Sequence, residues 1–170
     1  MIVIITGPES SGKSTLVEEL STFYKVCPVH EYAREYLAMR GGLYEYMDLL
    51  VMAKQQQNVI QEATIKGGLV ISDTDLLTIK IWSDLKYGKC EEWILAGLKV
   101  NKPDLYLLCK PDIPWTPDPL RENPNNRDEL FEIYEKEISN LQVAHSVISG
   151  NNETRLQMAK QAIEELKNKN

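Results

Sequence analysis

Apolar positions fall into two kinds of stretch along this chain: short unbroken runs, and longer segments where they recur every third or fourth residue. "IVIIT" at the start is a β-branched run and reads as a buried strand. After a glycine-rich turn, "KSTLVEELSTFY" places Leu16, Leu20 and Phe23 at helical spacing. "KVCPVHE" is a second short strand, confined by Pro28 to an edge or to a start after the proline. "YAREYLAMR" reads as a helix that stops at Gly41 and Gly42. "YEYMDLLVMAKQQQNVIQEATIK" is a long helix closed by Gly67 and Gly68. "LVIS" is a third strand ending at Asp73, and "TDLLTIKIWSDLKYG" and "CEEWILAGLK" are two further helices whose Trp82 and Trp93 fall among apolar positions and are assigned to the core. "PDLYLLCK" is a fourth strand, Arg127–Val143 a helix, "HSVISG" a fifth strand, and "NETRLQMAKQAIEELKN" a closing amphipathic helix with Asn152 as its N-cap.

Strands alternating with helices predict an α/β fold with a parallel five-stranded sheet and helices on both faces. The length of 170 residues fits one domain over 1–170. The one shift in composition is "PDIPWTPDPLRENP", which holds five of the eight prolines and is neither regular helix nor central strand. It reads as a surface crossover or as a lid, with the lid region over 111–127.

The formal net charge of -6 and the lack of any basic block argue against polymeric nucleic acid as a partner. No stretch approaches the ~20 apolar residues of a membrane span, and "MIVIIT" lacks the basic start of a signal peptide. Three widely spaced cysteines suit a reducing cytoplasm, and with two histidines they make a zinc site improbable. The expected location is cytoplasmic.

The chemistry begins at "GPESSGKST", which fits G-x-x-x-x-G-K-[ST] from Gly7 to Ser14 between a predicted strand and a predicted helix. Gly7 and Gly12 let the backbone through Ser10 and Ser11 turn its N–H groups toward phosphate oxygens. The helix beginning near Lys13 adds its positive end. Lys13 reaches the β- and γ-phosphates, Ser14 offers a hydroxyl to Mg²⁺, and Thr15 meets a neighbouring phosphate or caps the helix. Glu9 is no phosphate ligand and points to solvent or to a cationic group on the acceptor side.

In sheets of this kind ligands gather beyond the carboxyl ends of the strands. Asp73 ends an apolar strand, the pattern of a carboxylate that holds Mg²⁺ directly or through water. Asp75 either points the same way or caps the next helix. Glu31, after the second strand, holds an acceptor hydroxyl or takes its proton; its alternative is an ion pair with Arg34 three residues on. Phosphoryl transfer also needs cations where charge spreads. Arg121 and Arg127 flank "ENPNN" and suit a closing lid. Only Arg34 and Arg40 remain for an acceptor, so a nucleoside fits better than a nucleotide. Trp115, Tyr32 and Tyr36 either stack on a flat or cationic ring or simply pack. Gln57 falls on the buried stripe Leu50, Ala53, Gln57, Ile60, Thr64, where an amide needs a partner, and a substrate is one candidate. Arg155 follows the last strand near the expected adenine edge, or only pairs with glutamates.

Taken together, "GPESSGKSTL", "HEYAREY", "ISDTDLLT" and "PWTPDPLR" resemble the ribosylnicotinamide kinase domain of the NadR family of NAD-salvage proteins, along nearly the whole chain. The resemblance implies a P-loop NTPase fold of the nucleoside-kinase kind, ATP with Mg²⁺ as donor, and the 5′-hydroxyl of nicotinamide riboside as acceptor. It implies that Lys13 and Ser14 hold phosphates and metal, and that Asp73 or Asp75 and Glu31 hold metal or ribose hydroxyls, one of them as base. It implies that Arg34 and Trp115 bind acceptor, and that Arg121 and Arg127 belong to the lid. Members of that family usually carry an adenylyltransferase domain ahead of the kinase domain. With the loop strand starting at residue 2, the expectation is the phosphorylation step alone. Two other readings stay open: a kinase of another nucleoside or nucleotide, and a P-loop ATPase that switches a partner.

Overall fold

A computed structural model describes residues 1–120 and 125–168. Four strands, β1 (Ile2–Thr6), β2 (Val70–Asp73), β3 (Leu105–Cys109) and β4 (His145–Ile148), form one parallel sheet in the order β2-β1-β3-β4. Seven helices connect and flank them: α1 (Lys13–Tyr24), α2 (Tyr32–Met39), α3 (Tyr46–Ile65), α4 (Leu76–Tyr87), α5 (Glu92–Val100), α6 (Arg127–Leu141) and α7 (Asn152–Lys167).

The side-chain alternation of the strands sorts the core into two layers. Val3, Ile5, Leu105, Leu107 and Cys109 face α1 and α7, meeting Leu16, Val17, Leu20, Ala159 and Ile163. Ile4, Tyr106 and Leu108 face the other way, toward α2–α6, where Leu49, Met52, Leu77, Ile81 and Ile138 are buried. Both faces are covered, which is why β1 and β3 read as unbroken apolar runs.

The sheet has four strands where five were expected. "KVCPVHE" contributes only Val29, as an isolated parallel bridge to Ser72 of β2. Val29 donates to Ile71 O at 2.9 Å and accepts from Asp73 N at 2.8 Å. Pro28 has no N–H to extend that ladder, and α2 begins at Tyr32. The N-cap of α7 is Asn151, whose Oδ1 accepts from Thr154 N at 2.9 Å, one residue before the expected Asn152. Trp93 is 41 % exposed and lies under the Lys54 ammonium instead of in the core. No helix among the described residues is long and apolar enough to cross a membrane.

Candidate active site

β1 delivers the chain to Gly7 at φ 134°, where a Cβ would lie 2.6 Å from the Cys109 carbonyl oxygen at the end of β3. Only glycine lets the loop leave the sheet so closely. Gly12, at φ 82°, is the N-cap of α1 and makes no side-chain bond to the first turn, so the leading N–H groups of α1 are left for a ligand. Between them Ser10 adopts φ 53° without being glycine. Its conformation is fixed from outside. Ser10 Oγ accepts from Thr116 N at 2.9 Å, and Arg127 Nη1 donates to both Ser10 O and Ile113 O at 3.1 Å.

A second arginine holds the loop from beneath. Arg155 is 2 % exposed and donates to the carbonyls of Ser11, Gly150 and Lys110, each at 2.7 Å, and to the Asp112 carboxylate. It reaches neither a glutamate nor the surface. Its position after β4 is legible in the sequence; its partners are not, because they are backbone carbonyls.

The chemistry-bearing side chains meet over this loop. Gly7, Ser10, Ser11, Gly12, Lys13, Ser14 and Thr15 line a cleft together with Glu9, Glu31 and Arg34. Lys13 Nζ donates to Pro8 O at 2.8 Å, across the loop. Ser14 Oγ donates to Asp73 Oδ2 at 2.6 Å, which ties α1 to the end of β2. Asp73 Oδ1 is buried and has no hydrogen-bond partner among the described residues. A hydroxyl and a carboxylate oxygen side by side, one carboxylate oxygen still unspent, are a donor set that fits a hard divalent cation such as Mg²⁺. Glu31, half-buried at the start of α2, has its carboxyl pushed up to about 7, by burial first and then by the Asp73 carboxylate. Lys13 and Arg34 oppose that shift, and Glu9 adds to it. Arg34 Nη1 donates to Asp118 Oδ2 at 2.9 Å, joining α2 to the proline-rich segment. It pairs there and not with Glu31.

Other expected site residues lie apart from the cleft. Asp75 is the N-cap of α4: Oδ1 accepts from Leu77 N at 3.0 Å and Oδ2 from Tyr106 Oη at 2.6 Å. Burial pushes its carboxyl up to about 6. Gln57 is buried on α3 but lines a different cavity, shared with Asp75. Its neighbour Gln56 serves the cleft instead. Gln56 Oε1 accepts from Tyr32 N at 2.8 Å, and Nε2 donates to Ser72 Oγ and Asp73 O at 3.3 and 3.4 Å. One amide thus positions the backbone beside Glu31 and at Asp73. Trp115 stands 5.7 Å from the Arg127 guanidinium and does not line the cleft. Arg127 spends its Nη1 on loop carbonyls, so it is a positioning residue here. Arg121 lies outside the described residues.

Sequence reasoning missed the far wall. Thr78, Trp82, Tyr134, Leu37 and Leu120 complete the cleft. Trp82 and Leu120 also line an adjoining pocket with Tyr44 and Glu9. Trp82 is only half-buried, at the edge of the core to which it was assigned. The available signal was its spacing: Thr78 and Trp82 are i and i+4 on α4, on the face that starts beside Asp75. Glu9 lines both spaces.

The family model of an AAA domain matches residues 2–155. Among curated proteins, the trifunctional NAD biosynthesis/regulator protein NadR of Escherichia coli (strain K12) is 30% identical over 146 residues, 83% of this chain and 34% of that protein. The NadR of Salmonella typhimurium (strain LT2) is 31% identical over 124 residues, 70% of this chain and 30% of that protein. The chain therefore spans about a third of the length of these curated relatives. Two solved structures share the fold over 97% of this chain and about half of theirs. A NadR protein crystallised in complex with NR has a TM-score of 0.83 at 22% identity, and a NadR protein in complex with NAD and AMP-PNP has 0.72 at 21%.

Proposed function

Because the chain belongs to the AAA domain family, we propose that its cleft carries out phosphoryl transfer from ATP to the 5′-hydroxyl of nicotinamide riboside. The observation that carries this reading is one cleft holding a phosphate loop on one side and Glu31 and Arg34 on the other. The similarity to NadR proteins, one of them crystallised with NR, supports the acceptor.

On this reading the work divides as follows. The loop N–H groups and Lys13 bind the β- and γ-phosphates and take up the charge that spreads on transfer. Ser14 and Asp73 would hold Mg²⁺, which would supply positive charge against the negative charge of the triphosphate. Glu31 accepts the proton of the attacking hydroxyl, and its pKa of about 7 suits a base at neutral pH. Arg34 stands beside it in the same wall. Trp82 and the adjoining pocket with Tyr44 give a heteroaromatic ring flat apolar surface, and Glu9 there favours a cationic ring. Expulsion of water is assigned to the segment 111–120, which already touches the loop through Thr116 and Arg34 through Asp118.

The test is direct. Purified protein with ATP, Mg²⁺ and nicotinamide riboside is analysed by mass spectrometry for the mononucleotide. Formation of mononucleotide with stoichiometric ADP supports the proposal. ADP release that is independent of acceptor would replace it with a P-loop ATPase, and ADP release with another nucleoside alone would replace the substrate.

A further inference from the structure

A cavity of about 500 Å³ lies on the α2–α6 side of the sheet, away from the phosphate loop. Its size is that of a small-molecule site. Ile2 and Ile4 of β1 and Ile60 of α3 form apolar walls, and Val100 and Pro103 close the far side. Two charged groups line it, and both are spent. Asp75 accepts from Leu77 N and Tyr106 Oη, and Lys102 Nζ donates to Leu141 O at 2.7 Å. Gln57 is different: only 7 % exposed, it lines the cavity and makes no hydrogen bond among the described residues. Its amide atoms keep a little solvent contact, so water meets them in the free protein, and a ligand that displaces that water must offer the same donor and acceptor.

We propose that this cavity is a second small-molecule site, separate from the phosphate loop. It takes an uncharged, flat ligand with an apolar body and an adjacent donor and acceptor. Three features fix that chemistry. No unpaired charge in the wall would hold an ion. The apolar walls suit a ring. The Gln57 amide presents an N–H donor and a C=O acceptor in one plane, complementary to another primary carboxamide or to a nucleobase edge.

The experiment is protein NMR of the full chain with the glutamine side-chain amides assigned, titrated with benzamide and with 9-methyladenine, each with and without ADP–Mg²⁺. The two probes separate a carboxamide ligand from a nucleobase ligand. At least one probe should shift the Gln57 Nε2–H resonances saturably, with Kd on the order of 1 mM as a fragment-sized ligand gives, and equally with ADP present. The Gln57→Leu variant should lose at least tenfold in affinity for that probe. Where that variant does not fold, Gln61→Trp on the exposed rim should block entry instead. No saturable shift with either probe, a shift removed by ADP, or unchanged affinity in the folded variant would overturn the proposal.

Discussion

Ser14 Oγ and Asp73 Oδ2 lie 2.6 Å apart, joining the first turn of α1 to the last residue of β2 and leaving Asp73 Oδ1 buried without a partner among the described residues. The phosphate loop and the strand-end carboxylate are therefore one unit before any nucleotide arrives. Asp73→Asn keeps the shape and can still bond to Ser14, but removes the charge a divalent cation needs. ATP affinity in the presence of Mg²⁺ should fall on the order of 10²-fold, with a much smaller fall in EDTA. Calorimetric titration with and without Mg²⁺ measures both. Equal losses in the two conditions would mean that Asp73 acts on the loop and not through metal.

Lys13 is the one ammonium lining the cleft among the described residues, and it bridges the loop to Pro8 O. Lys13→Met preserves the aliphatic stem and removes the charge. Turnover should drop at least about 10³-fold with little loss of thermal stability, since a partly exposed bond to one carbonyl is worth only about 1 kcal/mol. Steady-state ADP release and a melting curve of the same preparation separate the two effects.

On the proposed mechanism Glu31 supplies the pH dependence. Burial and the Asp73 carboxylate raise its pKa to about 7, so it is largely protonated at pH 6 and ionised at pH 8. A base works only when ionised. The kcat/KM for the acceptor should therefore rise with pH through a midpoint near 7. Glu31→Gln should lower kcat by about 10²- to 10⁴-fold and abolish that limb, while ATP binding persists. A wild-type profile that is flat from pH 6 to 8 would remove Glu31 as the base.

The loop, its lysine and the strand-end aspartate were legible in the sequence because each has a local signature: fixed spacing, or an acid closing an apolar run. The β-branched and leucine runs of β1 and β3 fixed the two-layer core in the same way. Two kinds of feature were not legible. The first depends on tertiary contact between distant segments, such as Arg155 holding Ser11 O from 144 residues away, or Arg34 meeting Asp118. The second depends on a shift of about 100° around a helix. The predicted stripe on α3 picked Gln57, but Gln56 turns to the site and Gln57 to another cavity. Trp82 and Trp93 show the same ambiguity: both sit among apolar neighbours, yet one lines the cleft and the other is 41 % exposed.

Asp75 should make the fold more stable in acid. Its folded pKa is about 6 against an ordinary 3.8, raised chiefly by burial, so the folded state binds its proton more tightly than the unfolded chain. That contribution is fully present below pH 4 and is lost as pH rises through 6, by at most about 3 kcal/mol. Asp75→Asn can keep the cap to Leu77 and a bond to Tyr106 while carrying no charge. The difference between variant and wild type in urea midpoints should move in the variant's favour from pH 4 to pH 7. A difference that stays constant would show that Asp75 is ionised in the folded state at both pH values.

Arg155 should join stability to nucleotide binding. It is almost wholly buried, and its guanidinium satisfies three carbonyls and one carboxylate from four segments: the phosphate loop, the ends of β3 and β4, and Asp112. Arg155→Ala leaves these acceptors without their donor and Asp112 without its partner, at a cost of roughly 3–5 kcal/mol. That corresponds to a melting temperature lower by roughly 10 °C or more for a chain of this size. Arg155→Lys keeps the charge but not the planar fork, so it cannot reach all four acceptors and should fall between. Because one of the carbonyls is Ser11 O, the loss also frees the loop that binds phosphate. A ligand that binds only the ordered loop must then spend part of its binding free energy on reordering it. ATP should therefore bind both variants more weakly than wild type at a temperature where all three are folded, in the order wild type, Lys, Ala. Destabilisation with unchanged ATP affinity would confine Arg155 to holding the sheet ends together and would separate it from the loop.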